Sequence, residues 1–153
     1  MIEADGIYYI ANVMHDRWSP FARNKVIEQT AEIDDSTRGK HKTALWIEQE
    51  PGNGGKESAM ISARDLARFG PQFDHPHTDK VIRARPFAAA AEAGNVRIVK
   101  GAWNAKYLDE LVVFPNGEHD DMVDASSGAF NKLVMRPPTV QFSRPVSRPA
   151  VRR

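Results

Sequence analysis

The stretch Phe114-Pro115-Asn116-Gly117-Glu118-His119-Asp120-Asp121-Met122-Val123-Asp124-Ala125 restricts the fold of this chain more than any other. Glu118, Asp120, Asp121 and Asp124 stand with His119 beside a turn and lead straight into an apolar helical pattern. Ionised and close together, these carboxylates repel one another, so the fold must offset that repulsion. Solvent and a helix dipole do so if the segment is only a charged helix start. A divalent cation does so if the acids converge with others from elsewhere in the chain. Asp121 and Asp124 are three residues apart, and Asp120 and Asp124 four, so either pair can share a helix face. Three aspartates are more than capping needs, which tips the balance towards a metal.

At 153 residues the chain is one domain by length, with enough sequence to bury a core. No apolar run approaches the roughly 18 residues of a membrane span, and the first residues lack a basic-then-apolar leader pattern. Cysteine is absent, which excludes disulfides and thiolate metal sites and fits a reducing compartment. The net charge of +1 hides an uneven distribution: residues 136–153 hold five arginines, four prolines and no acid. That composition builds no core and reads as a flexible basic tail behind a mildly acidic body, residues 1–135. Such a tail adds nonspecific, salt-sensitive affinity for nucleic acid.

Strand-like and helix-like patterns alternate along the body, which places it in the α/β class. Asp5-Gly6 marks a turn before the β-branched and aromatic run Ile7 to Met14. Ser19-Pro20 supplies a cap and a first-turn proline for a helix to about Asp34, followed by a polar connector, Asp35 to Lys42. Thr43 to Ile47 reads as a buried strand ending at Glu48. Pro51 to Gly55 reads as a glycine-rich loop before a helix over Lys56 to Phe69. A short strand near Phe73, a helix capped by Asp79 and ending at Gly94, and a strand within Asn95 to Lys100 follow. Trp103 to Phe114 is amphipathic, and a last helix starts near His119 or Asp120 and ends near Val134.

Glu48 closes a buried strand, and in open α/β sheets sites gather at such strand ends. A solvated glutamate at a strand-to-loop boundary is the plain alternative. Together with the acids near residue 121 it supplies the several carboxylate oxygens, from different elements, that hard divalent ions and two-metal phosphodiester cleavage need. The loop Gly52-Asn53-Gly54-Gly55-Lys56-Glu57 is not a P-loop, since Glu50 and Glu57 stand where that motif needs a glycine and a hydroxyl residue. A glycine turn opening a helix can still offer backbone N–H groups to a DNA phosphate, although a simple turn is the preferred reading. His75-Pro76-His77 has a proline between its histidines and no further histidine nearby, a poor zinc pattern. Lys80, Arg83 and Arg85 form a basic cluster suited to a phosphate backbone or, more simply, to a solvated helix face.

Several ordered segments resemble one family: Asp5-Gly6-Ile7-Tyr8-Tyr9-Ile10, Arg17-Trp18-Ser19-Pro20, Ile47-Glu48-Gln49-Glu50-Pro51-Gly52, Gly55-Lys56, Asp79-Lys80, Ala91-Glu92-Ala93-Gly94-Asn95-Val96, Trp103-Asn104, Phe114-Pro115-Asn116-Gly117 and His119 to Ala125. They are similar to the C-terminal nuclease domain of phage terminase large subunits over roughly residues 5–133. The resemblance implies a ribonuclease-H-like mixed sheet flanked by helices. It also implies a Mg²⁺- or Mn²⁺-dependent two-metal endonuclease that cuts concatemeric viral DNA during packaging, in the cytoplasm of a bacterial host and encoded by a phage or prophage. Glu48 matches the family's second acid and the Asp120-Asp121 pair its last, with Asp121 favoured as the direct ligand and Asp124 beside it. Lys56, Lys80, Arg83 and Arg85 are the candidate DNA contacts. The implied partners are double-stranded DNA, an ATPase portion of the terminase, a small terminase subunit and a portal; no membrane is involved.

The chain departs from the family pattern in two places. It has no counterpart of the ATPase motor, and by this resemblance it starts at the third strand, without the first two strands and the first-strand aspartate. The expectation is a fragment, a decayed product or one part of a split protein, with missing strands supplied in trans or self-association through an exposed sheet edge. A non-catalytic DNA-binding or packaging module is the alternative function.

Overall fold

The computed structural model describes residues 1–38 and 43–135. The basic tail and part of the polar connector lie outside them. The chain opens with a hairpin of β1 (Ile2–Ala4) and β2 (Ile7–Ile10), in which Ile2 opposes Tyr9 and Ala4 opposes Ile7. Asp5 and Gly6 both take positive φ, 52° and 77°, as a two-residue loop with the twist of a tight hairpin requires. The Gly6 N–H also donates to Glu3 Oε1 at 3.0 Å. Sequence patterning assigned no strand before Asp5; this turn makes even a three-residue strand pair.

β2 is shorter than its apolar run because its parallel partner β5 (Val96–Ile98) offers only three residues, and the last backbone link is Val99 N–H to the Ile10 carbonyl. A second, two-stranded parallel sheet joins β3 (Trp46–Glu48) and β4 (Gln72–Asp74). Their register sets Glu48 directly opposite Asp74, at the carboxyl ends of both strands.

Helix α1 (Pro20–Arg38) starts where Ser19 Oγ accepts from the Ala22 N–H, and it absorbs the first residues of the expected connector. Ser36 and Thr37 there return their hydroxyls to the Ile33 carbonyl. Helix α2 (Asn53–Asp65) takes in most of the glycine-rich segment as its first turn, and a single 3₁₀ turn, Ala67–Phe69, follows it. Asp79 caps α3 (Lys80–Glu92) by accepting from the Val81 N–H at 2.8 Å, and Gly94 at φ 77° turns the chain out of it. Helices α4 (Asn104–Val113) and α5 (Asp121–Val134) complete the described elements.

The core forms where β2, α3, α4 and α5 meet: Ile10, Phe87, Tyr107, Met122 and Phe130 are buried against one another. Phe130 packs its ring 4.5 Å from that of Tyr8 and 5.8 Å from that of Phe87. Burying side chains of this size contributes about 1.5–3 kcal/mol each. Helix α5 is therefore held along its buried face from Met122 to Phe130, so its first turn has a defined position. Among the described residues no helix is long and apolar enough to cross a membrane.

Candidate active site

The start of α5 is capped from another helix. Glu110 of α4 is 7% exposed, and its Oε1 accepts from the backbone N–H of Met122 at 2.7 Å and of Val123 at 2.9 Å. These are two of the donors that a helix leaves unpaired at its N-terminus. Asp120, in the N-cap position, makes no capping bond with its side chain. Its carboxylate instead pairs with the Lys80 ammonium of α3. Asp120 is thus free of the plain capping role, while Asp121 and Asp124 stand in the first turn, where their charges still complement the helix dipole. Glu110 escaped sequence reasoning, although an acid three residues after Tyr107, on the buried face of an amphipathic helix, is a visible signal.

Each remaining acid has its own surroundings. Asp124 Oδ2 lies 2.8 Å from Arg83 Nη2, and both side chains are 21% exposed. The other oxygen of Asp124, Oδ1, is buried with no hydrogen-bond partner. Asp121 points outward, 74% exposed, with Oδ2 3.6 Å from His15 Nε2, while Lys106 of α4 contacts Nδ1 of the same ring at 2.8 Å. Asp74 pairs with Lys132 of α5 at 2.8 Å, and the Lys132 ammonium also lies 4.3 Å from the centre of the Trp46 ring. Asn131 of α5 donates to the Arg83 carbonyl at 3.0 Å, which ties α3 to α5 beside the acids.

Glu48 has no ion-pair partner among the described residues. The residue is exposed at the surface, yet loss of solvent around its carboxyl pushes its pKa above the usual carboxylate range. The Arg83 guanidinium opposes that shift, while the charges of Asp124, Asp74 and Glu50 add to it. Glu48 therefore feels the charges of Arg83, Asp124 and Asp74, and its backbone stands directly opposite Asp74 in the sheet. The structure sets Asp120 and Asp121 on Lys80 and His15 at the outer side of the α5 turn.

The four basic candidates separate. Lys56 and Arg85 face solvent, whereas Lys80 and Arg83 turn onto aspartates. Paired carboxylates raise the pKa of Arg83 and Lys80, in each case chiefly through the hydrogen bond to the partner aspartate. Arg23 of α1 also escaped sequence reasoning. Its Nη2 donates to Ser62 Oγ at 3.0 Å, and it lines a polar cavity of about 90 Å³ that reaches Glu48, Glu50 and Ser58.

Because the fold raises the Glu48 pKa, it holds the proton more tightly than the unfolded chain does. Stability therefore falls as pH rises from the unfolded carboxylate value through the folded one. Without divalent ions, Glu48→Gln is expected to raise the melting temperature at about pH 7 and to change it little at about pH 3.5, below the ordinary glutamate range. Thermal denaturation at the two pH values checks this; an equal change at both would remove the electrostatic account.

The donor chemistry fits a hard divalent ion: carboxylate oxygens only, one of them buried and unpartnered. The arrangement is not a ready cage, for among the described residues no three His, Cys, Asp or Glu side chains stand close enough to hold a metal. His75 and His77 gain no third ligand for zinc by the same measure.

The small mixed α/β fold, with two parallel strand pairs and five helices among the described residues, is of ribonuclease-H-like architecture. More particularly, the chain belongs to the terminase RNaseH-like domain family, whose model matches residues 1–133. No curated protein and no solved structure matches the chain.

Proposed function

We propose that this domain cuts double-stranded DNA with the help of Mg²⁺ or Mn²⁺, as the nuclease part of a terminase acting on concatemeric viral DNA. The observation that carries the reading is the terminase RNaseH-like family match over residues 1–133, on a fold that puts Glu48 opposite Asp74 at the strand ends and Asp124 in the first turn of α5. Glu48 and Asp124 would hold the metal, with Asp74, Asp120 and Asp121 as the further acids around them. Bound ions of this kind activate water and offset charge on the leaving oxygen.

The chain's own residues do the rest. Glu110 fixes the turn that carries Asp120, Asp121 and Asp124. Lys56 and Arg85, exposed on α2 and α3, are placed for backbone phosphates, contacts that position DNA without reading its sequence. Lys80 joins them when Asp120 releases it. A terminase ATPase portion, a small subunit and a portal are the partners of this reading, and the host bacterial cytoplasm is its place. Residues 1–135 form the nuclease domain in it, and the five arginines of residues 136–153 add charge-based affinity for DNA.

Plasmid cleavage with Mn²⁺ tests the proposal. Glu48→Gln and Asp124→Asn are each expected to slow cleavage about a hundredfold or more, a loss of some 3 kcal/mol of metal-assisted stabilisation. Asp121→Asn, which removes an exposed carboxylate, is expected to cost about tenfold or less. Unchanged cleavage by both Glu48→Gln and Asp124→Asn would remove the site.

One observation favours a second reading, a non-catalytic DNA-binding or packaging module. Asp74, Asp120, Asp121 and Asp124 each already have a cation or a histidine beside them. Salt-sensitive duplex binding by a chain that neither binds Mn²⁺ nor cleaves would establish that role.

A further inference from the structure

We propose that Trp46 is a stacking platform for an unpaired nucleotide base, one step along β3 from Glu48. The inference rests on the DNA-cutting reading above and names the form of DNA this face takes, a strand with a base outside the double helix. Side chains alternate across a strand, so Trp46 and Glu48 share one face of β3 while Ile47, half-buried, turns to the other. The register carries that face across to β4, with Gln72 opposite Trp46 and Asp74 opposite Glu48. Two residues along a strand span about 6.6 Å, roughly the reach of one nucleotide. Lys132 of α5 extends over this face, its ammonium 4.3 Å from the centre of the Trp46 ring and 2.8 Å from Asp74 Oδ2. Trp46 nevertheless stays 39% exposed.

An ammonium over an indole face is attractive, and Asp74 holds that ammonium in place, so the ring has a set orientation before any ligand arrives. An aromatic side chain fixed in this way loses little further freedom on binding. The carboxylates of Glu48 and Asp74, next along the same face, repel a bare phosphate. A base carries no charge and offers a flat face to the exposed part of the indole. Every base has such a face, so the contact tolerates any sequence. In an intact duplex each base is stacked between its neighbours, so an indole takes one only where the strand is unpaired or the base has left the stack. The exposed Gln72, opposite Trp46, supplies an amide that can bond the edge of that base.

Binding of a labelled single-stranded oligo-dT to the full chain, followed by fluorescence anisotropy without divalent ions, tests this apart from cleavage. Trp46→Leu keeps an apolar side chain but no aromatic face, and it is expected to bind about tenfold more weakly than the parent. Trp46→Phe keeps a face and is expected to stay within about threefold. The ratio between parent and Trp46→Leu should hold as salt is raised, because stacking releases no counterions whereas phosphate contacts do. A relaxed, covalently closed duplex should bind the parent and both variants alike. Oligo-dT should also quench the part of the indole fluorescence that Trp46→Phe lacks, and this readout decides if Trp46→Leu does not fold. Equal oligo-dT affinity of the parent and a folded Trp46→Leu, or absence of that quenching, would overturn the inference, while duplex binding by the parent would leave the DNA reading intact. An equal loss on the closed duplex would also overturn it, by making Trp46 a general contact. Binding of neither DNA form by the parent would overturn the DNA reading, and this inference with it.

Discussion

Glu110→Ala is expected to lower the melting temperature by about 10 °C, the largest loss of stability from any single polar side chain in this domain. The Glu110 carboxylate accepts two backbone donors of α5, from Met122 and Val123, residues only 5% and 2% exposed. Alanine removes the acceptor while the surrounding side chains still keep water away, so both N–H groups are left buried and unpaired. Hydrogen bonds to a charged group contribute about 1.5–3 kcal/mol each, which puts the total for the two near 3–6 kcal/mol. Glu110→Gln keeps an oxygen in place and loses only the charge assistance, so about half the effect is expected. Thermal denaturation of the three chains distinguishes the cases, and an Ala variant that melts with the parent would show that α5 is capped some other way. The same change should weaken Mn²⁺ binding, because the turn carrying Asp120, Asp121 and Asp124 loses its anchor.

Two neighbouring glycines of α2 are expected to respond in opposite directions. A Cβ built on Gly55 would lie 1.9 Å from the Glu50 carbonyl oxygen and 2.6 Å from its carbon. Both are backbone atoms, so the segment between Glu48 and α2 must shift as a whole, and no side-chain rotation relieves the overlap. Gly55→Ala is expected to cost about 3 kcal/mol or more, beyond ordinary core overpacking. It should also reduce any Mn²⁺-dependent cleavage, because Glu48 stands two residues from Glu50. A Cβ on Gly54 meets nothing within 4 Å, so Gly54→Ala should stabilise the chain by about 0.5–1 kcal/mol through the lower entropy of its unfolded state. Denaturant unfolding of both variants decides it; loss of stability in Gly54→Ala as large as in Gly55→Ala would show that the helix start tolerates no side chain at all.

Much of the fold was legible residue by residue. Ser19-Pro20, Asp79 and Gly94 punctuate helices through bonds to their own neighbours, so local chemistry suffices to place them. The errors share a cause as well. β2 stops at Ile10 because β5 runs out, and the short β1 forms because a two-residue turn returns it to β2. In both cases a strand's length depends on a partner far away or on a backbone angle, and apolar patterning records neither. The glycine-rich segment is helical from Asn53, and the backbone of Glu50 lies so close to Gly55 that glycine is obligatory there, a close approach that local patterning does not record.

The candidate site divides along the same line. Charge spacing in one helical turn, and an acid closing an apolar strand, are properties of the chain itself, so the sequence alone determined that Glu48 and the acids near residue 121 were the groups to watch. Only the tertiary structure decided how those acids are used. Asp124 shares its surroundings with Glu48, Asp121 faces outward to His15, and Arg83 turns inward in place of solvent. Glu110 caps the helix from α4, which releases Asp120 to Lys80. The physical reason is range: capping propensity and helical spacing act over a few residues, whereas a carboxylate's partner is chosen by whichever cation the packed core carries within reach.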